Sequence, residues 1–519
     1  MSEKGRGGPP AILLLLLGVA VQFSAAAVAA GELLHQHDRM RRRAERFLSA
    51  FSAGAAPSPS VLLSHLRSLS FSFSAINSSA FLGGRWNIFV SSNSRVFRVT
   101  DYGADPTGRT DSTAAIQQAL SDAFRPLSGR SLLAGIADLG GAEINLEGGS
   151  YLITRPISLP FSPAGNLKIH SGSLRASDDF PENRYVIELW ASSSNQNRVS
   201  PDISSAATSA YDYEYITLSG IMVDANFRGG GIAVVNSLRT IISGCYIAQF
   251  ESDGIWVQGG HETFISDSFL GQHITAGADP GERNFSSTAI RLMGNDNAVT
   301  DVVIFSAATG ILVAGQANVL TGVHCYNKAT GFGGTGIYLK SPGLTQNRIV
   351  NCYMDYTGIV SEDPTLLLVS GSFFLGDAGV VLKSVNGVMR GVDIVDNLFS
   401  GSGAGADIVR LDESGGAFTA VDQVRVERNS VEGMRVRSTS ARAAGEANGS
   451  IWTVDFSPVL LFANRIDHVQ YAVRAGSGFP NHALRNVSGN RVVIESDVPV
   501  AATVYVAVDQ CGDSSSIFI

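Results

Sequence analysis

The chain has 519 residues, a formal net charge of −8 and only four cysteines. The negative balance excludes a general electrostatic grip on nucleic acid or any other anionic polymer, so an acidic ligand would have to be held by local cations. Four cysteines are too few to staple a chain of this length, and stability must come from a packed core.

At the N-terminus, Lys4 and Arg6 precede the apolar run Ala11 to Val21, and small residues follow to Ala30. That three-part layout is a secretory signal peptide, so residues 1–30 are expected to be removed and the chain to act outside the cell. The run is short for a bilayer span of about 20 residues, and no membrane association is expected after its removal. Sequons at Asn77, Asn284, Asn448 and Asn486 fit the same route. Residues 31–95, basic around Arg39 to Arg46 and then rich in Ser and Ala, read as an N-terminal extension or pro-segment.

The main domain is expected over residues 96–519. Phe97-Arg-Val-Thr-Asp-Tyr-Gly-Ala reads as a strand and Asp105-Pro-Thr-Gly as a turn. Asp111 stands at an N-cap position ahead of a helix carrying Ile116, Ala119, Leu120 and Phe124. Turn and cap duties account for both aspartates.

A short pattern then recurs: apolar, any, a small or Gly/Asn/Asp residue, two of any kind, apolar. Its central residues are Gly220, Gly244, Asp267, Asp301, Gly322, Asn351, Gly371 and Gly391, spaced by 24, 23, 34, 21, 29, 20 and 20. Weaker copies surround Ser171, Arg428, Asn464 and Gly489. After most copies comes a second strand such as Gly231-Ile-Ala-Val, Gly254-Ile-Trp-Val, Ala289-Ile-Arg-Leu or Gly336-Ile-Tyr-Leu. Many short strands and tight turns at this period make a solenoid; leucine-rich repeats and propeller blades do not fit. The expectation is an all-β, right-handed parallel β-helix whose first coil is capped by the Asp111–Phe124 helix. Asp267 and Asp301 occupy the turn position of the repeat and read as structural. Cys325 and Cys352 fall in neighbouring coils, as stacked thiols or as a bond.

In the Gly-Ile-x-Val strands the residue between the two apolar ones points outward. Coil by coil these residues are Ala233, Trp256, Arg291, Leu312 and Tyr338. A Trp, an Arg and a Tyr on one ladder suit a sugar chain: aromatic faces stack on pyranose rings and Arg pairs with carboxylates. The long spacing between Asp267 and Asp301 marks an insertion containing His273, Asp279, Glu282 and Arg283. Insertions in a solenoid gather on the binding face, which makes these residues acid, base and cation candidates. Asp253, just before the Trp256 strand, would pair with Asp279 or Glu282 as general acid and base. His261 would line the cleft. His261-Glu262 lacks the second histidine of a helical zinc motif, so no metal and no cofactor is expected.

The segment from Phe97 to Leu120 resembles the opening of the pectate-lyase-like β-helix superfamily, and with the coils that follow the likeness covers about residues 97–510. The stretch from His261 to Phe285 is similar to the quartet-type plant polygalacturonases, secreted pectin-degrading proteins associated with pollen tetrad separation. The resemblance implies an α-1,4-galacturonan substrate and a wall-directed role. Against ordinary family-28 glycoside hydrolases the catalytic pattern is largely missing. The Asn-Thr-Asp position falls near Gly229-Gly230, Asp-Asp becomes Ser252-Asp253, His-Gly becomes about Thr288-Ala289, and Arg-Ile-Lys becomes Leu312-Val313-Ala314. Arg291 is placed to take over carboxylate binding. The leading expectation is a monomeric hydrolase acting on polygalacturonate, an acidic polysaccharide. A lyase and a non-catalytic pectin-binding wall protein are the alternatives.

Overall fold

The computed structural model describes residues 95–126, 129–190, 211–274, 286–327, 334–340 and 342–510. All belong to the second of the two compact units into which the chain divides, Asn93–Ile519. The expected signal peptide and extension, Asn77, Cys511, and Asp279, Glu282, Arg283 and Asn284 of the insertion lie outside the described residues. No helix among those described is long and apolar enough to cross a membrane.

The repeat builds a right-handed parallel β-helix in which 33 strands join one continuous hydrogen-bonded assembly. Each coil contributes three strand positions, and each strand pairs in parallel with its counterparts in neighbouring coils. In one sheet Ile241–Ser243 stacks on Phe264–Ser266 and that on Ala298–Thr300. In the second, Tyr246–Ala248 stacks on Phe269–Gly271. In the third, Gly230–Val235 stacks on Asp253–His261, which stacks on Thr288–Asn295. The interior is a file of apolar side chains, with Ile247, Leu270, Ile304, Cys325, Met354 and Phe374 all buried at successive levels of the second sheet. A fully buried side chain of this size contributes roughly 1.5–3 kcal/mol, so the core explains how so few cysteines suffice. Cys245, Cys325 and Cys352 are free and buried, so the neighbouring pair forms no bond; Cys325 stacks on Met354 rather than on Cys352.

The central residue of the repeat is the corner between the first and second sheets. Gly220, Gly244, Asp267, Asp301, Gly322, Asn351 and Gly371 all have φ between 51° and 64°. Left-handed backbone is costly for most L-residues and tolerated by Gly, Asn and Asp, which is why the pattern is legible. Asp267 and Asp301 are therefore corner residues. The copy centred on Gly391 is out of step: Gly391 lies inside the strand Val388–Val395, and the true corner is Asp396, at φ 57°. A second device is a buried asparagine ladder. The side-chain carbonyls of Asn297, Asn318 and Asn347 each accept the backbone N–H one coil earlier, from Thr263, Asn297 and Asn318, at 3.0 Å. Each buried bond contributes about 1 kcal/mol and fixes coil register.

Helix Thr113–Ala123 covers the first coil with Ile116, Ala119 and Leu120 buried. The residue that caps it is Ser112, one later than expected, although Asp111 still accepts from the Thr113 N–H at 3.0 Å. Asp105 accepts from the backbone of Thr107, Arg109 and Thr110, as a turn residue should. At the other end the coils stop at Ser430–Glu432, short of the expected limit at 519. Ser440–Asp455, His468–Ala475, His482–Ser488 and Arg491–Asp509 instead form a four-stranded antiparallel sheet with its own core of Trp452, Ile494, Val504 and Val506. Its strands alternate as coil strands do, and Asn464 and Gly489 are left-handed turn residues there (φ 52° and 56°), so the sequence resembles further coils.

Candidate functional site

The third sheet carries the site. In most coils the residue before the first inward side chain is glycine, because an added Cβ would press on the next coil: at Gly254 it would meet the Ala289 carbonyl oxygen at 2.6 Å, and at Gly310 that of Gly336 at 2.4 Å; Val186 and Ala289 take that place in two other coils. The strand then alternates, burying Ile255 and Val257 and turning Trp256 outward. Strand pairing places Ala233, Trp256, Arg291, Leu312 and Tyr338 opposite one another in consecutive coils, so the expected outer ladder forms. It extends further toward the N-terminus than the sequence indicated, through Glu188 to Ser158.

Asp253 is 4% exposed at the start of the Trp256 strand. One carboxylate oxygen accepts from Arg291 Nε at 2.9 Å and the other from the Tyr185 hydroxyl at 2.9 Å. Two donors aimed at the oxygens favour the ionised form, but burial outweighs them and the carboxyl lies above its ordinary range. Burial, with Asp253 next to it, also pushes the Tyr185 phenol up. The terminal nitrogens of Arg291 make no hydrogen bond to the described residues. Asp253 thus orients one edge of the guanidinium and leaves the other edge for a ligand.

Tyr185 reaches Asp253 across an intervening coil. It can do so because Gly230 lies beneath it: a Cβ there would stand 2.2 Å from the Tyr185 ring. The same ring stacks on Trp256 (centroids 5.7 Å, planes 25° apart), and Trp190 meets Trp256 edge-on at 5.8 Å. Two coils before Trp256, Glu188 is 1% exposed and holds Arg184 at 2.7 and 2.6 Å, with the Ser158 hydroxyl and the Tyr185 N–H each at 3.1 Å. Sequence reasoning missed Tyr185, Glu188 and Trp190 because Val186 stands where later coils have Gly. The alternation Ile187-Glu188-Leu189 was the available signal.

Tyr338 lies two coils beyond Arg291 in the other direction. Its hydroxyl donates to Glu362 at 2.7 Å, and Lys383 reaches the same carboxylate oxygen at 3.1 Å. Two expected site residues stand elsewhere. His261 lies past the left-handed pair Gly259-Gly260 and bonds the Tyr211 hydroxyl at 2.9 Å, at a corner away from Trp256. His273 is buried against Phe227, with ring centroids 5.3 Å apart, beneath the point where the insertion leaves the coil. The two ends of that insertion are clamped by Gln272 and Ser286, Nε2 to Oγ at 2.8 Å. It therefore departs and returns at one spot, between the second and third sheets. Among the described residues no group of three or more His, Cys, Asp or Glu side chains is placed to hold a metal ion.

A family model described as rhamnogalacturonase A/epimerase, pectate lyase-like, matches residues 96–353. The chain is 61% identical over 419 residues to polygalacturonase QRT3 of Arabidopsis thaliana, an alignment covering 80% of this chain and 84% of that protein. Among solved structures it is similar to ORF18 of Geobacillus virus E2, at 12% identity and a TM-score of 0.46, covering 78% of this chain and 77% of that one. It is also similar to the Dettilon tailspike protein, at 12% identity and a TM-score of 0.39, covering 80% and 94%. Both scores fall below 0.5, and the fold rests on the strand pairing itself.

Proposed function

Because the chain belongs to the pectate-lyase-like β-helix superfamily, within its quartet-type plant polygalacturonases, we propose that it is a secreted glycoside hydrolase cleaving the α-1,4-galacturonan of pectin in the plant cell wall. The observation that carries the reading is the Trp256–Arg291 step of the outer ladder, with Asp253 holding the arginine. The indole offers a face for a pyranose ring and the free edge of Arg291 suits the carboxylate of a uronate. Hydrolysis then needs one group to protonate the leaving glycosidic oxygen and another to activate water. Asp253, raised by burial and with both oxygens engaged, is assigned the base or the group that fixes Arg291. Asp279 or Glu282 of the insertion is assigned the acid, with Arg283 as a second cation and His273 at the loop's foot.

One observation favours a second reading. Both oxygens of Asp253 are engaged inside the protein, which also suits a pectin-binding wall protein with no catalysis. The test follows reducing ends and the ultraviolet absorbance of unsaturated uronate together, on de-esterified polygalacturonate. Reducing ends without unsaturation are expected. Unsaturation would make the protein a lyase, and a folded protein that binds without releasing ends would be the binding module.

A further inference from the structure

The outer ladder does not end at Trp256. Its register runs from Arg291 through Trp256, Ala233 and Glu188 to Ser158, four coil steps or about 19 Å at the usual strand spacing, with Ala233 and Glu188 themselves buried so that the surface there belongs to the residues above them. Along that path Trp256 touches Trp190. Beyond Trp190 lies a hollow of about 380 Å³ lined by Phe161, Asn183, Arg184 and Glu188. Phe161, 66% exposed, presents its ring to this hollow. The buried indole N–H of Trp190 has no acceptor among the described residues. A second hollow of about 570 Å³, sharing Ser158 and Arg184, adds Arg155 beside the capping helix. Arg155 is exposed and makes no ion pair or hydrogen bond among the described residues.

We propose that this N-terminal end of the third sheet is a distal subsite for an acidic sugar, with Arg155 and Arg184 as its cations and Phe161 and Trp190 as its apolar walls. The inference rests on the galacturonan reading and adds to it a direction and a length. The polymer lies along the helix axis and extends from Arg291 toward the capping helix. Glu188 neutralises Arg184 and fixes its pose, leaving Nη1 free, while Arg155 supplies the uncompensated charge. The opposite end of the ladder offers a poorer track. Leu312, Val360 and Val381 are aliphatic, and Tyr338 and Lys383 are both committed to Glu362.

The test measures binding by tryptophan fluorescence with two oligogalacturonates, one short enough to span only the Trp256–Arg291 step and one long enough to reach Arg155. Wild type is compared with Arg155→Glu and with Arg410→Glu, an exposed arginine in the same ladder at the far end. Both substitutions lie on the surface and leave the core untouched. The expected result is tighter binding of the long oligomer by wild type and a loss of about fivefold in Arg155→Glu for the long oligomer alone. An unchanged long-oligomer affinity in Arg155→Glu, or a loss in Arg410→Glu instead, would overturn the distal subsite while leaving the galacturonan reading intact. Wild type binding neither oligomer would take down both.

Discussion

Two regions of the outer ladder carry similar trios in different surroundings. In one a tyrosine hydroxyl and an arginine converge on Asp253; in the other a tyrosine hydroxyl and a lysine converge on Glu362. Asp253 is buried, its cation has a free edge, and its tyrosine arrives over a glycine from two coils away. The Glu362 side chain is 11% exposed and both its partners lie in neighbouring coils, where such contacts would form in any well-packed solenoid. The difference teaches that a charge trio alone does not mark a site. What sets the Asp253 trio apart is burial of the acid, which makes the trio expensive to break, together with donors left over among the described residues.

Substitutions can break this comparison. Asp253→Ala strands the Tyr185 hydroxyl and the oriented edge of Arg291 and should lower unfolding stability by about 2–4 kcal/mol, read from urea midpoints. Glu362→Ala should cost at most about 1 kcal/mol, because Lys383 and Tyr338 regain water. Equal losses at the two trios would erase the distinction. Gly230→Ala places a methyl against the Tyr185 ring and should cost about 1–3 kcal/mol and shift tryptophan fluorescence through Trp256.

A pH series sharpens the contrast further. The net effect of burial is a carboxyl at Asp253 above its ordinary value of 3.8, so the folded protein takes up that proton more readily than the unfolded chain. The stabilising contribution is present below about pH 3.8 and is lost as pH rises through the raised value. Asp253→Asn removes it, so the stability difference between wild type and variant should shrink or reverse across that window. A constant difference would show that Asp253 titrates alike in both states.

Much of the fold is legible from corners. Gly220, Asn351 and Asp301 announce themselves because few residues accept left-handed backbone, and the outward placement of Trp256, Arg291 and Tyr338 follows from alternation once the corners are known. Gly391 misleads for the same reason, since it is also left-handed but inside a strand. The antiparallel C-terminal sheet hides because Val504-x-Val506-x-Val508 alternates like any coil strand. The site was half legible. Asp253, Trp256 and Arg291 come together as their spacing implied, while Tyr185 was invisible because its reach depends on a missing side chain at Gly230, far away in sequence. His261 stands apart from them because two consecutive left-handed glycines turn the strand before reaching it.

The central claim is that Arg291, held by Asp253, reads the carboxylate of a uronate. The most direct measurement compares the affinity of wild type and Arg291→Ala for de-esterified oligogalacturonate and for its methyl-esterified counterpart. The account predicts a preference of about tenfold for the free acid in wild type and its loss in the variant. An equal preference in both proteins would contradict it.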